Sequence, residues 1–129
     1  MPNARITPWG RERDGVSVEA LTAADPAALL RAPDEVLSSP VLQVVFERAR
    51  AGSRPGFRID DHLVCLAIEG GGMRGAVSAG MAVVLEAAGL AWAFARIYGV
   101  SAGALNGCAM AAGQAALSAT YYQDAAAAA

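Results

Sequence analysis

The chain of 129 residues has no lysine, one histidine and two cysteines, and only 6% of its residues are aromatic. Its ten basic residues are all arginines, spread along the chain, and twelve acidic residues bring the net charge to −2. Nucleic-acid binding usually needs a clustered basic surface, so nucleic acid is not an expected partner. Neither a metal site nor a catalytic triad can be built on His62 alone, and we expect no metal.

The sequence also lacks a long uncharged apolar run. Its longest apolar stretch, residues 76–95, is interrupted by Gly80, Glu86 and Gly89, whereas a membrane-spanning helix needs about 20 predominantly apolar residues. This stretch therefore predicts a buried helix followed by a loop. The first fifteen residues contain no apolar segment of the kind that secretory signals carry, so a cytoplasmic location is the default expectation.

Both cysteines, Cys65 and Cys108, lie in apolar contexts, and their spacing is not that of metal ligands. Cysteine without a partner behaves as a small apolar residue in protein cores. We therefore expect two free, buried thiols.

Residues 1–61 are richer in proline, arginine and acidic residues than the rest, and no run among them resembles a core strand. We interpret this segment as a helical or irregular leader. Its clearest helix begins at Ser39, a capping residue followed by proline, and Gly52 supplies the stop signal. The side of this helix expected to be apolar carries Val41, Leu42, Val45 and Ala49.

Four arginines lie in and just after this predicted helix. They could touch anionic lipid headgroups, which keeps transient contact with a membrane surface among the expected partners. Charges at such spacing usually belong to a solvated face, and that is the favoured interpretation. The four are Arg48, Arg50, Arg54 and Arg58.

The character of the chain changes at Leu63. Residues 63–68, LVCLAI, form a continuous apolar run, which is typical of a strand covered on both faces. A glycine-rich loop follows, then a predicted helix over residues 76–88, a second strand at about 95–100 and a helix over about 102–112. This order predicts two parallel strands joined by a helical crossover.

The second predicted strand leads directly into Gly99, Val100, Ser101, Ala102 and Gly103, a Gly-x-Ser-x-Gly pattern. Between a strand and a helix, this pattern forms a nucleophile elbow, because the glycines avoid Cβ clashes and the tight turn exposes the serine hydroxyl. Ser101 is therefore the candidate nucleophile. The helix that follows it favours the negative charge that develops during attack.

The first predicted strand is followed by a second motif, the loop Gly70, Gly71, Gly72, Met73, Arg74 and Gly75. Consecutive glycines let backbone N–H groups converge on one point, and the next helix adds its positive end. Such a loop can stabilise the oxyanion of ester hydrolysis. Because both loops leave the carboxyl ends of neighbouring parallel strands, they should open into the same crevice as Ser101.

Together, the segments IEGGGMRGAVSAGMAVVLEAAGL and IYGVSAGALNG resemble the patatin-like phospholipases, and the resemblance extends from Leu63 to about Asp124. It implies a three-layer α/β/α fold, of which this chain carries the first βαβα unit with an incomplete sheet. It also implies a Ser-Asp dyad that cleaves phospholipid or neutral-lipid acyl esters in lipid metabolism, without a metal or organic cofactor. Ser101 would be the nucleophile, residues 70–75 the oxyanion loop, and Arg74 a brace for the loop or a phosphate contact.

This resemblance divides the chain into a leader (1–61), the N-terminal part of a patatin-like domain (62–124) and an alanine tail (125–129). The family's catalytic aspartate, in an Asp-Gly-Gly or Asp-Gly-Ala motif, does not follow Ser101 here, where Asp124 is the only acidic residue. We therefore expect the chain alone to hydrolyse lipid esters poorly or not at all. Nothing in its composition calls for the residues after Ala112 to fold back over the elbow.

Three alternatives stay open. A dinucleotide-binding domain would explain Gly70, Gly72 and Gly75 as G-x-G-x-x-G, but the acidic residue expected about 20 residues further on is missing. An α/β-hydrolase would need a histidine after its serine, and none follows Ser101. The third alternative is a catalytically inactive, truncated fragment that acts in binding or regulation.

Overall fold

The computed structural model describes residues 6–7, 10–11 and 38–128. Two short antiparallel strands, β1 (Ile6–Thr7) and β2 (Gly10–Arg11), lie near the N-terminus, and most of the predicted leader lies outside the described residues. One-turn 3-10 helices, Gly72–Arg74 and Ala91–Ala93, precede α2 and β4. The main elements are α1 (Pro40–Arg50), β3 (Cys65–Ile68), α2 (Gly75–Ala87), β4 (Arg96–Gly99), α3 (Ala102–Ala111) and α4 (Ala115–Ala127).

The predicted helix α1 is confirmed, with Ser39 at its N-cap and Pro40 in its first turn. Its predicted inward face is only partly right. Val45 is buried, but Val41 is 57% exposed and Leu42 is also exposed. Only the second half of α1 carries the packing, where Val45 joins a core cluster that contains Val64 and Leu90.

Strands β3 and β4 are parallel, as the order of elements predicted. Cys65 pairs with Arg96 at one end of the register and Ile68 with Gly99 at the other. The N–H of Val100 extends the ladder by donating to the Ile68 carbonyl at 3.3 Å. Within residues 38–128 the sheet has these two strands alone, so the predicted incomplete sheet is confirmed.

One face of the sheet is covered and the other is open. Leu66 and Ile97 pack against Ala82 and Val83 of α2 and Met110 of α3. The expectation that both faces of β3 are covered is therefore wrong for the described residues. The apolar run alternates between half-buried and exposed positions, since all described helices that contact the strands lie on one side; the exposed side carries Cys65, Ala67, Arg96 and Tyr98.

The open face also corrects the prediction for the cysteines. Cys65 and Cys108 are free thiols, as expected, but both are exposed. Cys65 lies on the open face of β3, and Cys108 lies on an outward position of α3. An apolar neighbourhood in sequence identifies a core position only when the whole element is covered, and neither element is.

Helices α2 and α3 agree with their predicted spans to within one residue. Gly89, which follows α2, has φ +70°, a conformation that ends helices and favours glycine. No helix among the described residues is long and apolar enough to cross a membrane.

Helix α4 was not predicted, and it corrects the expectation that the chain after Ala112 does not fold back. It buries Ala115 and Tyr122, and Tyr122 packs against Ala79 of α2 and Ala102 of α3. The helix also includes most of the predicted alanine tail. Its inner face consists mainly of alanine, so little hydrophobic contrast marks it in the sequence; the domain boundaries themselves stay a prediction.

The four arginines of the α1 region mostly bind protein groups. Arg48, expected on a solvated face or at headgroups, is instead fully buried, and its guanidinium donates to the Asp60 carboxylate at 2.6 and 2.8 Å. It also donates to the carbonyls of Ala93 and His62. A buried guanidinium needs such partners, so Arg48 connects α1 to the segments before β3 and β4.

Arg58 and Arg54 also contact the segment before β4, whereas Arg50 contacts a residue of its own helix. Arg58 donates to the Trp92 and Phe94 carbonyls, each at 2.8 Å. The guanidinium of Arg54 lies 5.6 Å from the centre of the Trp92 ring, and that of Arg50 lies 5.6 Å from the Phe46 ring. These contacts fit a structural role for the arginines better than a headgroup site.

We predict that this network makes stability fall at acidic pH. Arg48 holds the pKa of Asp60 well below its usual range by hydrogen bonding to the carboxylate, with a further bond from the His62 N–H. A depressed carboxyl pKa stabilises the fold above the unfolded value of about 4, and the contribution is lost as pH falls below that value. Asp60→Asn should therefore be less stable than the parent at pH 7 and lose less stability between pH 5 and 3.

Urea unfolding at several pH values measures this effect. Asp61→Asn is the matched control, because Asp61 is exposed and adjacent, and it makes no contact with Arg48. If Asp60→Asn and Asp61→Asn show the same pH dependence as the parent, the ion pair does not stabilise the fold.

Candidate active site

The glycine-rich loop and the serine turn meet at the carboxyl ends of β3 and β4. A Cβ atom placed on Gly70 would lie 2.8 Å from the Val100 carbonyl oxygen and 3.2 Å from the Ser101 Cβ. Real Cβ atoms do not approach a backbone oxygen so closely, so only glycine allows the two segments to touch here. The two motifs predicted to share a crevice are therefore in contact.

Ser101 has an unusual backbone conformation, with φ +53° and ψ −123°. It is the only residue other than glycine with a positive φ among those described. Such a conformation costs of order 1–3 kcal/mol and persists only where the surroundings enforce it. The Gly103 N–H closes the turn by donating to the Val100 carbonyl at 2.9 Å. Ser101, at the tip of the turn, is exposed to solvent.

The two glycines of the serine motif are required by packing. A Cβ on Gly99 would lie 2.5 Å from the Gly103 carbonyl oxygen. A Cβ on Gly103 would overlap the carbonyl oxygens of Ile68 and Glu69. The first turn of α3 thus lies directly on the end of β3, and this close approach produces the sharp turn at Ser101.

The glycine-rich loop needs glycine for a different reason. Gly71 and Gly72 have φ values of +155° and +56°, which side chains rarely adopt, and the loop then continues as a 3-10 turn into α2. At the start of α2, a Cβ on Gly75 would lie 2.5 Å from the Tyr122 hydroxyl and 2.6 Å from the Ala102 Cβ. The loop is therefore held against both α3 and α4.

Several residues beside Ser101 have backbone N–H groups without a hydrogen-bond partner among the described residues. Gly72 and Met73 line the same cavity as Ser101, with a volume of about 500 Å³. The N–H groups of Gly71, Gly72, Met73 and Ala102 donate no hydrogen bond to any other described residue. The sequence motifs indicated the first three donors, whereas Ala102 was expected only as part of the elbow.

Arg74 lies against the loop that contains it. Its Nε lies 3.3 Å from the position that a Gly71 Cβ would occupy, so the guanidinium packs on the Gly71 backbone. The residue is exposed as a whole. This position agrees with a bracing role and leaves the guanidinium accessible to solvent.

Asn106 is a buried residue that the sequence motifs did not identify. Its Nδ2 donates to the Gly75 carbonyl and to the Ser78 hydroxyl, both at 2.8 Å. Its Oδ1 accepts from the Ser118 hydroxyl at 2.7 Å and from the Tyr122 hydroxyl at 3.2 Å. One side chain thus connects α2, α3 and α4 behind the loop and the serine; an asparagine inside a helix of small residues was the available signal.

We predict that Asn106→Leu lowers the free energy of unfolding by about 2 kcal/mol, because several buried polar groups lose their partner. Tyr122→Phe is the matched control, since it removes one bond to Asn106 and leaves the rest in place; about 1 kcal/mol is expected for it. Urea denaturation measures both. Equal losses in the two variants would mean that the network acts only through Tyr122.

Neither Asp124 nor His62 lines the Ser101 cavity. Asp124 is exposed on α4 and is not among the residues that line it. His62 contacts Asp60, with Nδ1 3.2 Å from the carboxylate. Within residues 38–128, no three His, Cys, Asp or Glu side chains are grouped as metal ligands.

An α/β unit that places a serine turn beside a glycine-rich loop has the arrangement of a serine acyl hydrolase. Residues 66–128 match the family model described as patatin-like phospholipase. This match confirms the resemblance to the family, and the structure is consistent with a partial patatin α/β fold. A search of curated proteins and a search of solved structures each found no match.

Proposed function

We propose that this chain provides the nucleophile and the oxyanion-stabilising loop of a lipid acyl hydrolase that acts on phospholipid or neutral-lipid esters. The observation that carries the proposal is the strained backbone of Ser101, held beside backbone donors that have no partner among the described residues. Strain of this kind concentrates at functional sites, where it fixes the orientation of a reacting group. The family match supports the same class of reaction.

In the proposed reaction, the Ser101 hydroxyl oxygen attacks the ester carbonyl carbon while a base takes its proton. The negative charge on the tetrahedral intermediate is stabilised by N–H groups of the loop, with Gly72 and Met73 as the donors that share the cavity. We add the Ala102 N–H as a further donor, because the residue after the nucleophile commonly serves this purpose. The ester bond then breaks, the alcohol leaves, and water hydrolyses the acyl-serine.

The described residues place no proton acceptor beside Ser101 for this reaction. No carboxylate or imidazole of the described residues lines the Ser101 cavity, and a serine without a positioned base is a weak nucleophile. We therefore propose slow ester hydrolysis by this chain alone. A binding or regulatory role is the second candidate, and the same lack of a nearby base favours it.

A reactive fluorophosphonate tests the nucleophile separately from turnover. We expect a short-chain fluorophosphonate at high concentration to modify the folded protein once and slowly, because solvent must take the Ser101 proton; mass spectrometry should locate the adduct on the peptide that contains Ser101. Ser101→Ala should remove the adduct. The urea-unfolded protein is the matched control, because it exposes every serine without holding any of them in a turn; labelling at several serines with equal rates in both states would exclude a special role for Ser101.

A further inference from the structure

The cavity at Ser101 does not end beside the serine. A second cavity of about 380 Å³ lies between α3 and α4, lined by Leu105, Leu117 and Ser118 among others. Both cavities share Leu105, Tyr121 and Tyr122. The two cavities are therefore adjacent and share a wall, and together they are called here the α3–α4 groove, which extends from Ser101 towards Gln114.

The walls of this groove are apolar and solvent-exposed. Leu105 is 63% exposed, Leu117 67% and Tyr121 60%, and Met73 adds a further exposed apolar side chain at the serine end. No charged residue lines either cavity. Contiguous exposed apolar side chains on a soluble protein mark a site that binds an apolar ligand or partner.

We infer that the α3–α4 groove binds the acyl chain of the substrate, with the ester carbonyl at Ser101 and the chain extending towards Leu117. This inference rests on the proposed function, because continuity with Ser101 is what selects an acyl chain as the occupant. A different apolar groove, beside β3, is lined by Val77 and Met81 and reaches Gly70, Arg74 and Gly75 of the loop, but it does not include Ser101.

The groove also sets a preferred chain length. From Ala102 to Ala109 the helix rises about 10 Å, which an extended chain spans with roughly eight carbons, given carbon–carbon bonds of about 1.5 Å. Longer chains would extend beyond Leu117 into solvent. The structure thus predicts selection of medium-length chains up to about eight carbons, with no further gain above that length.

Alkyl fluorophosphonates of increasing length test the inference on the 129-residue chain. Full burial of a methylene is worth about 0.8 kcal/mol, or nearly fourfold, so in a half-open groove the second-order rate of Ser101 labelling should rise about twofold per methylene. The rise should continue from ethyl to about octyl and then level off. Equal rates for all lengths would overturn the inference and leave the proposed nucleophile intact.

Leu117→Asp and Val77→Asp form a matched pair, because the two side chains are 67% and 65% exposed. Leu117→Asp should lower the ratio of octyl to ethyl labelling about tenfold, since it places a charge in the path of the chain. Val77→Asp should leave that ratio unchanged. If both variants lower it equally, the effect is general, and the groove is not the acyl site.

A non-reactive ligand separates this inference from the proposed nucleophile. Octanoic acid should bind the Ser101→Ala protein in isothermal titration calorimetry, with an affinity that Leu117→Asp lowers and Val77→Asp does not. If no fluorophosphonate labels Ser101 but this binding pattern holds, the proposed nucleophile is wrong and the acyl site stands. If neither the labelling pattern nor the binding pattern is seen, the inference is overturned. A dimer that Leu117→Asp dissociates would also overturn it, and would assign the groove to a second copy of the chain.

Discussion

Replacing Ser101 by glycine is expected to abolish fluorophosphonate labelling and, at the same time, to raise the free energy of unfolding by about 1 kcal/mol. The loss follows from removal of the hydroxyl. The gain follows from φ +53°, which strains a serine by about 1–3 kcal/mol but not a glycine. The larger entropy of glycine in the unfolded chain offsets part of that gain, by about 0.5–1 kcal/mol.

Ser101→Ala is the control that separates the two effects. It also lacks the hydroxyl, but its Cβ keeps the backbone strain, so its stability should stay close to that of the parent. Fluorophosphonate labelling measures the effect of losing the hydroxyl, and urea denaturation measures the effect of the backbone strain on stability. A glycine variant that is less stable than the alanine variant would show that the turn at Ser101 stores no strain.

The order of elements from β3 to α3 could be predicted because each signal was local. A continuous apolar run marked β3, Gly89 marked the end of the next helix, and the serine motif marked the end of β4. These signals act over a few residues, and the structure places the boundaries close to the predicted ones. The parallel pairing followed from the helix between the two strands.

Burial was harder to predict, because it depends on what covers an element. The run that contains Cys65 has the composition of a doubly covered strand, yet one face is open in the described residues. Arginine is a residue type usually found at the surface, yet Arg48 is fully buried. Its partners Asp60 and Ala93 lie far along the chain, and no local pattern predicts that they converge on it.

The sequence predicted the two motifs of the candidate site, but not the packing and hydrogen bonds that hold those motifs in place. The contacts of Gly70 and Gly103 explain why glycine stands at those positions, and the motif spacing already indicated them. Helix α4 had no such signal, and Asn106 was marked only as a polar residue within a helix of small residues, which does not indicate its partners. The strain at Ser101 can persist only because this packing holds α2, α3 and α4 together, so the support matters for the proposed chemistry as much as the motifs do.

The second large effect is expected for Gly103→Ala, which should lower the free energy of unfolding by about 3 kcal/mol. The new Cβ would overlap the Ile68 and Glu69 carbonyl oxygens, which belong to the backbone at the end of β3 and cannot rotate away. Overpacking of this kind typically costs about 1–3 kcal/mol, and occasionally more where the neighbours are rigid. To relieve the overlap, α3 would have to move away from β3 and take Ser101 with it.

Gly80→Ala is the matched control for this prediction. Gly80 lies inside α2, and a Cβ there would meet no atom within 4 Å, so the variant should gain up to about 1 kcal/mol from helix propensity alone. In urea denaturation, the free energy of unfolding should therefore fall in Gly103→Ala and rise in Gly80→Ala. Because the displaced helix carries Ser101, fluorophosphonate labelling should also slow in Gly103→Ala under conditions where the protein is still folded, and not in Gly80→Ala. A Gly103→Ala protein as stable as Gly80→Ala would mean that α3 does not lie against β3 as described.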